Sequence, residues 1–378
     1  MFVIESSTTP MSRNALMGET TYAGFARGLD WGLDLGTQRW WRRKSVGAFA
    51  ARLTRFVAVD VPVAQYLFAW THEYGHKTRV NEAGLAAHVV VGGSPWSLTA
   101  FTDVALTGAE VTPAMYSAGM EATAVIADRV ERRMVNVGAA HYTDLTALFI
   151  ANAMAFGYLQ HDLSAGRVRR GFTLEGPDYA DPSGYVVTVL SRRLGRDPTM
   201  AERQDMANDV RRASWLNFVD YDLVNVGAGL FRDYLWRGQR QTPIRWIRTG
   251  SIYVIPSLRY ALTPVGPERQ VRSFVKAGAA TLLAYARWSE RVDNGRLVGV
   301  GVDYTWRPRG QWRPSFALDL WRNPDGTGAF RAEGGSEWAA PASRLVLMGA
   351  IGAKRRGYLL GFPEEAGVYL NAGVGIRF

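Results

Sequence analysis

The sequence predicts an α+β protein, with a mainly helical module over residues 1–245 and an antiparallel β-meander or small barrel over 246–378. Three observations predict it. Apolar stretches of helical length in the first part open on helix-start signals, an acid or hydroxyl followed by proline. From about residue 250 the pattern changes from helical to period two, with glycine and aromatic residues throughout. Asp293-Asn294-Gly295, Arg307-Pro308-Arg309-Gly310 and Asn323-Pro324-Asp325-Gly326 then punctuate the second part as hairpin turns.

In the helical module, Asp60-Val61-Pro62 starts a helix that stays apolar through Trp70 and runs free of breakers to Gly75. Leu85–Val91 and Trp96–Leu106 read as strands within the module. Thr112-Pro113 opens a second strong helix that ends near Gly138. Thr143–Leu159 is a third apolar stretch, at the lower limit of length for crossing a bilayer and equally suited to a buried helix. Gly176–Pro182 reads as a loop. Ser183–Gly195, Thr199–Ser214 and Asn217–Trp236 read as helices, with Thr199 and Glu202 forming a capping box.

In the β region the expected strands are Ser251–Leu262, Gln270–Trp288, Arg296–Trp306, Trp312–Trp321, Gly328–Trp338, Arg344–Lys354 and Ala366–Phe378. The last one alternates cleanly. Val368, Leu370, Ala372, Val374, Ile376 and Phe378 form one face, and Gly367, Tyr369, Asn371, Gly373, Gly375 and Arg377 the other.

The chemistry concentrates in His72-Glu73-Tyr74-Gly75-His76. On a helix, residues four apart leave the same face, so both imidazoles can share one zinc ion while Glu73 addresses a metal-bound water. Gly75 costs the helix about 1 kcal/mol relative to alanine, which points to a metal or a closely packed neighbour. Such a site needs a third protein ligand. Glu121, an acid among small and apolar residues of the Thr112 helix, is the leading choice, and Glu82 is the rival. Asp128, two turns beyond Glu121, suits a hydrogen bond to a ligating imidazole.

Over roughly residues 58–137 this pattern resembles the gluzincin metallopeptidases, which complete an HExxH helix with a glutamate from a later helix. The resemblance implies a helical zinc-metallopeptidase-like module with Zn2+ on His72, His76 and Glu121, Glu73 as general base, and a protein or peptide substrate. Asp128 falls further from Glu121 than the family's second aspartate does from its ligand. For stabilising a developing oxyanion, His141 leads on position, with Tyr142 and His161 behind it, whereas His88 reads as a structural strand residue. Asp325-Gly326 superficially matches site-2-type intramembrane proteases, but it reads better as a hairpin turn.

An alternating strand ending on phenylalanine resembles the carboxy-terminal assembly signal of bacterial outer-membrane β-barrels. The resemblance implies an outer-membrane location, with membrane lipid or lipopolysaccharide as a partner. Tryptophan and tyrosine recur near the strand ends, as an interfacial girdle requires. The amino terminus shows no signal-peptide pattern, which opposes that location. The net charge of +10, carried almost wholly by arginine, comes with no nucleic-acid motif and suits a barrel interior and loops. Arg39–Lys44 and Arg307-Pro308-Arg309 suit a membrane interface. There are no cysteines, so any zinc must bind through histidine and carboxylate. The sequence sets no oligomeric state.

Overall fold

The computed structural model describes residues 2–7, 9–41, 44–94, 97–104, 113–164, 181–290, 295–307, 311–340 and 345–376. Its helices are α1 (Pro10–Trp41), α2 (Val46–Arg55), α3 (Val61–Glu82), α4 (Pro113–Val137), α5 (Tyr142–Asp162), α6 (Asp181–Leu194), α7 (Met200–Ser214) and α8 (Tyr221–Trp236). The second half of α8, Ala228–Trp236, is π-helical, and a π-helical turn over Phe56–Asp60 joins α2 to α3. Asp60 therefore does not cap α3. Its side chain makes no cap hydrogen bond and instead lies buried beside Arg55. Thr199 and Glu202 do form the capping box of α7.

The strands are β1 (Phe2–Ser7), β2 (Ala87–Ser94), β3 (Ser97–Val104), β4 (Ala139–His141), β5 (Gln241–Pro243), β6 (Ile247–Thr249), β7 (Ile252–Ala261), β8 (Glu268–Ala277), β9 (Ala280–Ser289), β10 (Val298–Trp306), β11 (Trp312–Arg322), β12 (Gly328–Ala339), β13 (Leu345–Lys354) and β14 (Gly367–Ile376). β2–β3 and β4–β5 are separate pairs. The others form one antiparallel sheet in the order β1-β14-β13-β12-β11-β10-β9-β8-β7-β6. The expected strand Gln270–Trp288 is two strands, because Gly278 takes φ +58° and closes a two-residue turn with Ala279.

The small barrel expected from sequence is an open sheet. β1 at one edge and β6 at the other do not pair. Helices bridge the gap instead: α1 packs along β1, α2 lies against α1 and α8, and α8 lies against β7. The boundary at 245/246 also does not divide the core. One hydrophobic cluster joins Tyr22, Phe68, Ile126 and Leu145 of the helices to Ile255, Phe274 and Leu283 of the sheet.

The two faces of the sheet differ in chemistry. Outward positions on β10–β14 are large and apolar, including Val300, Phe316, Leu320, Leu347, Ile351 and Leu370, and exposure reaches 73% at Val368. Inward positions carry Arg259, Arg272, Arg287, Asp303, Asp319 and Arg331, and α4 lies across them. There Arg132 pairs with Asp303, while Asp128 and Glu131 pair with Arg259 and Arg272. Among the described residues no helix is long and apolar enough to cross a membrane, α5 included. Arg42, Arg43, Pro308, Arg309 and Phe378 lie outside the described residues.

Candidate metal centre

The centre is built where α3 crosses α4. Gly75 lets the helices meet: a Cβ there would stand 2.5 Å from the Ala118 carbonyl oxygen and 2.9 Å from Ala122 Cβ. The room at Gly75 thus serves a packed neighbour. On the facing helix, a Cβ at Gly119 would collide with the Nε2 atoms of both His72 and His76. One glycine on each helix thus sets the depth at which the imidazoles sit.

His76 Nδ1 donates to the Met115 carbonyl oxygen at 2.6 Å. Because a carbonyl only accepts, Nδ1 carries a proton and Nε2 is the atom that faces the site. There His76 Nε2 lies 3.2 Å from His72 Nε2, and Asp181 Oδ2 lies 3.0 Å from His76 Nε2 and 3.3 Å from His72 Nε2. Ligands about 2.1 Å from a zinc ion in a tetrahedral set stand about 3.4 Å apart, so these separations fit. Tyr158 steadies the carboxylate. Its hydroxyl donates to Asp181 Oδ2 at 3.1 Å and accepts the Asp181 backbone N–H at 3.2 Å, while its ring meets His72 edge-on at 5.7 Å.

The electrostatics favour a cation. Burial opposes charge on Asp181, but His76 and hydrogen bonds from both imidazoles hold it well below the usual carboxylate range. Burial likewise opposes a charged His76, yet Asp181 and then Glu73 push its pKa up to about 9. A divalent ion bound there would supply the positive charge that a proton otherwise brings to this cluster.

Glu121, the expected third ligand, is engaged elsewhere. It is fully buried, receives two bonds to Oε2 and one to Oε1 from Arg79 at 2.6–3.0 Å, and accepts the Gly361 N–H at 3.0 Å. Arg79 also takes the rival Glu82, through Nη1 to Oε2 at 2.6 Å. One arginine, a turn after His76, thus occupies both glutamates, and the carboxylate at the imidazoles is Asp181. Asp128 accepts from Arg132 and Arg259 and pairs with Arg272, away from either imidazole.

His141 is not at the imidazoles either. It caps α5, its ring accepting from the Thr143 N–H while Asp144 accepts the His141 N–H. Burial, then the charge of Arg27, lowers its pKa to about 3, so the ring stays neutral. Tyr142 is buried, bonded to Arg55 and stacked on Tyr234. His161 lies near the end of α5, and His88 pairs across the β2–β3 ladder with Asp103. Asp325 closes its hairpin by accepting from Thr327.

Sequence reading missed Asp181, Tyr158 and Gly119. A signal for the first was present: Asp181-Pro182 repeats the acid-then-proline pattern that opens helices elsewhere in the chain. No signal marked the other two, whose roles exist only once helices cross. A second carboxylate group, Glu131 with Asp220 and Asp222, also converges, but Arg259 and Arg272 already neutralise Glu131.

The site and fold together define an α+β protein with an open antiparallel sheet and a cluster of two histidines and one carboxylate. No family model and no curated protein matches the chain. Among solved structures, the NanC porin in a rhombohedral crystal form aligns with a TM-score of 0.28 and 9% identity, over 35% of this chain and 76% of the porin. A likeness that slight carries no argument about architecture or role.

Proposed function

We propose that this chain is a zinc-dependent hydrolase of peptide bonds that works at the bacterial outer membrane. The observation that carries the hydrolase reading is the convergence of His72 Nε2, His76 Nε2 and Asp181 Oδ2, with His76 fixed from behind by the Met115 carbonyl. His72, His76 and Asp181 would hold the zinc, which when bound would lower the pKa of a coordinated water and polarise a scissile carbonyl. Glu73, beside His72 on the same helix, would be the residue that takes a proton from water and returns it to the leaving amine. Tyr158 and Gly119 keep Asp181 and the imidazoles in place. The peptide substrate rests on the HExxH resemblance. The membrane location rests on the sheet, whose outward residues suit lipid and whose inward ones suit water.

Metal analysis tests the site. Purified wild-type protein offered zinc should hold about one ion per chain, and His72→Ala and Asp181→Ala should each abolish it. Zinc retained in Asp181→Ala would return the third ligand to a glutamate. Wild-type protein that binds none would leave the second reading, a non-catalytic envelope protein, which the apolar outer face of the sheet favours on its own.

A further inference from the structure

Between α4, α1 and the inner face of β8–β14 lie two adjoining cavities. One of about 260 Å³ is lined by Asn136, Arg307, Arg313, Ser315 and Glu337. The other, about 190 Å³, is lined by Arg132, Tyr285, Asp303 and Arg331 and ends on Leu359 and Phe362. Arg129, Glu333 and Asn371 line both, so the two adjoin along the sheet at these three side chains. Each is many times the room one water needs, and its walls are charged. The charges alternate in sign through the pairs Arg313–Glu337, Arg132–Asp303, Arg331–Asp319 and Arg331–Glu333. Burying so many ions without water is costly, and polar groups at membrane depth line water-filled spaces.

The space stops at the segment 355–366, between β13 and β14. Ser12 Oγ donates to the Gly361 carbonyl at 3.1 Å, Gly361 N–H donates to Glu121, and Arg79 Nη2 donates to the Phe362 carbonyl at 3.1 Å. The Phe362 ring lies under the Arg331 guanidinium at 4.9 Å and edge-on to Tyr369 at 4.9 Å. On the far side of this segment is a third cavity of about 370 Å³, lined by Arg79, Glu82, Pro363 and Glu364 and by Ala114, the neighbour of Met115. The segment thus borders the charged space at Phe362 and the third cavity at Pro363 and Glu364.

We infer that the space between α4, α1 and β8–β14 is an aqueous passage for small solutes bearing both charges, short peptides among them, closed by Phe362 and its segment. Walls of both signs give a zwitterion partners throughout and select weakly between cations and anions. The passage rests on the membrane reading of the sheet, so the test separates the two. Full-chain protein is first floated with phosphatidylcholine vesicles and then studied in planar bilayers of that lipid. Wild type should insert and stay nearly silent, and Phe362→Ala should conduct several-fold more. The chain has no cysteine, so Ser315→Cys and Phe316→Cys report the two faces. Cationic and anionic methanethiosulfonates should both modify position 315, which faces the space, and neither should modify the outward position 316. Inserted protein silent in both forms, or a position 315 that refuses both reagents, overturns the passage. A freely conducting wild type overturns its closure by Phe362. Protein that does not float overturns the membrane reading beneath it.

Discussion

At His76 a single backbone carbonyl decides the chemistry. Met115 holds the proton on Nδ1, and Gly119 leaves space for Nε2 to face His72 and Asp181. The two histidines were legible because four-residue spacing on a helix fixes their relation locally. The carboxylate beside them was not, since Asp181 comes from the start of a helix more than a hundred positions later. Glu121 was legible as a buried acid that needed a partner, but burial does not say whether that partner is a metal or a guanidinium. Arg79 answers it. Glu121→Gln should therefore cost about 1.5–3 kcal/mol, because buried Arg79 loses its charged acceptor and keeps only Glu82, while zinc content stays at the wild-type level. Urea unfolding and metal analysis on the same preparation check both halves. Loss of zinc in a protein of unchanged stability would restore Glu121 as a ligand.

At the scale of elements, α5 shows how one residue type carries two readings. His141 follows the Glu121 helix, so position alone made it a catalytic choice, whereas its backbone is extended (φ −79°, ψ 150°) and its side chain caps α5. That role sets a pH dependence. Its folded pKa, about 3, lies below the ordinary value of 6.5, so the folded state binds fewer protons than the unfolded chain between those values. The stabilisation is complete above pH 6.5 and is lost as pH falls toward 3. Between pH 7 and pH 5 wild type should thus lose stability relative to His141→Asn, which keeps a capping side chain but cannot titrate. Parallel curves for the two proteins over that interval would exclude the histidine as the source. Strands were legible from alternation, and their ends from turn chemistry. The β8–β9 turn escaped notice because Gly278-Ala279 is a two-residue turn inside an unbroken alternating run. α1 escaped because glycines and polar residues interrupt its apolar face.

Across the whole molecule, the apolar surface does not end with the sheet. Exposed Met17, Phe25 and Trp31 continue it along α1 beside β1, and Leu223, Val224, Phe231 and Trp236 along α8 beside β7. Large apolar patches of this extent mark a covered surface, and one that passes from strands onto both flanking helices suits a bilayer better than a single docked protein. Leu347→Arg, at an outward position on β13, should then cost about 2–4 kcal/mol when unfolding is measured from lipid vesicles, and far less in water-soluble form. Equal small losses in both settings would mean that lipid does not cover this face. Period-two alternation made the two faces legible in advance. That helices rather than strands complete the wall was not, because it depends on which element reaches the open edges.

The pairing of β1 with β14 sets Phe2 opposite Ile376. Nearly the whole chain must be synthesised before that ladder can form, which makes it among the most non-local contacts a chain of this length allows. Until then β1 offers an unpaired strand edge to any other nascent chain, and the α1 helix that follows it has no sheet beside it. The seam where these two distant segments meet is thus among the last ladders of the sheet that synthesis makes possible. A chain stalled or cut short in its final dozen residues would retain the helices that carry His72, His76 and Asp181 and yet leave β1 without its partner.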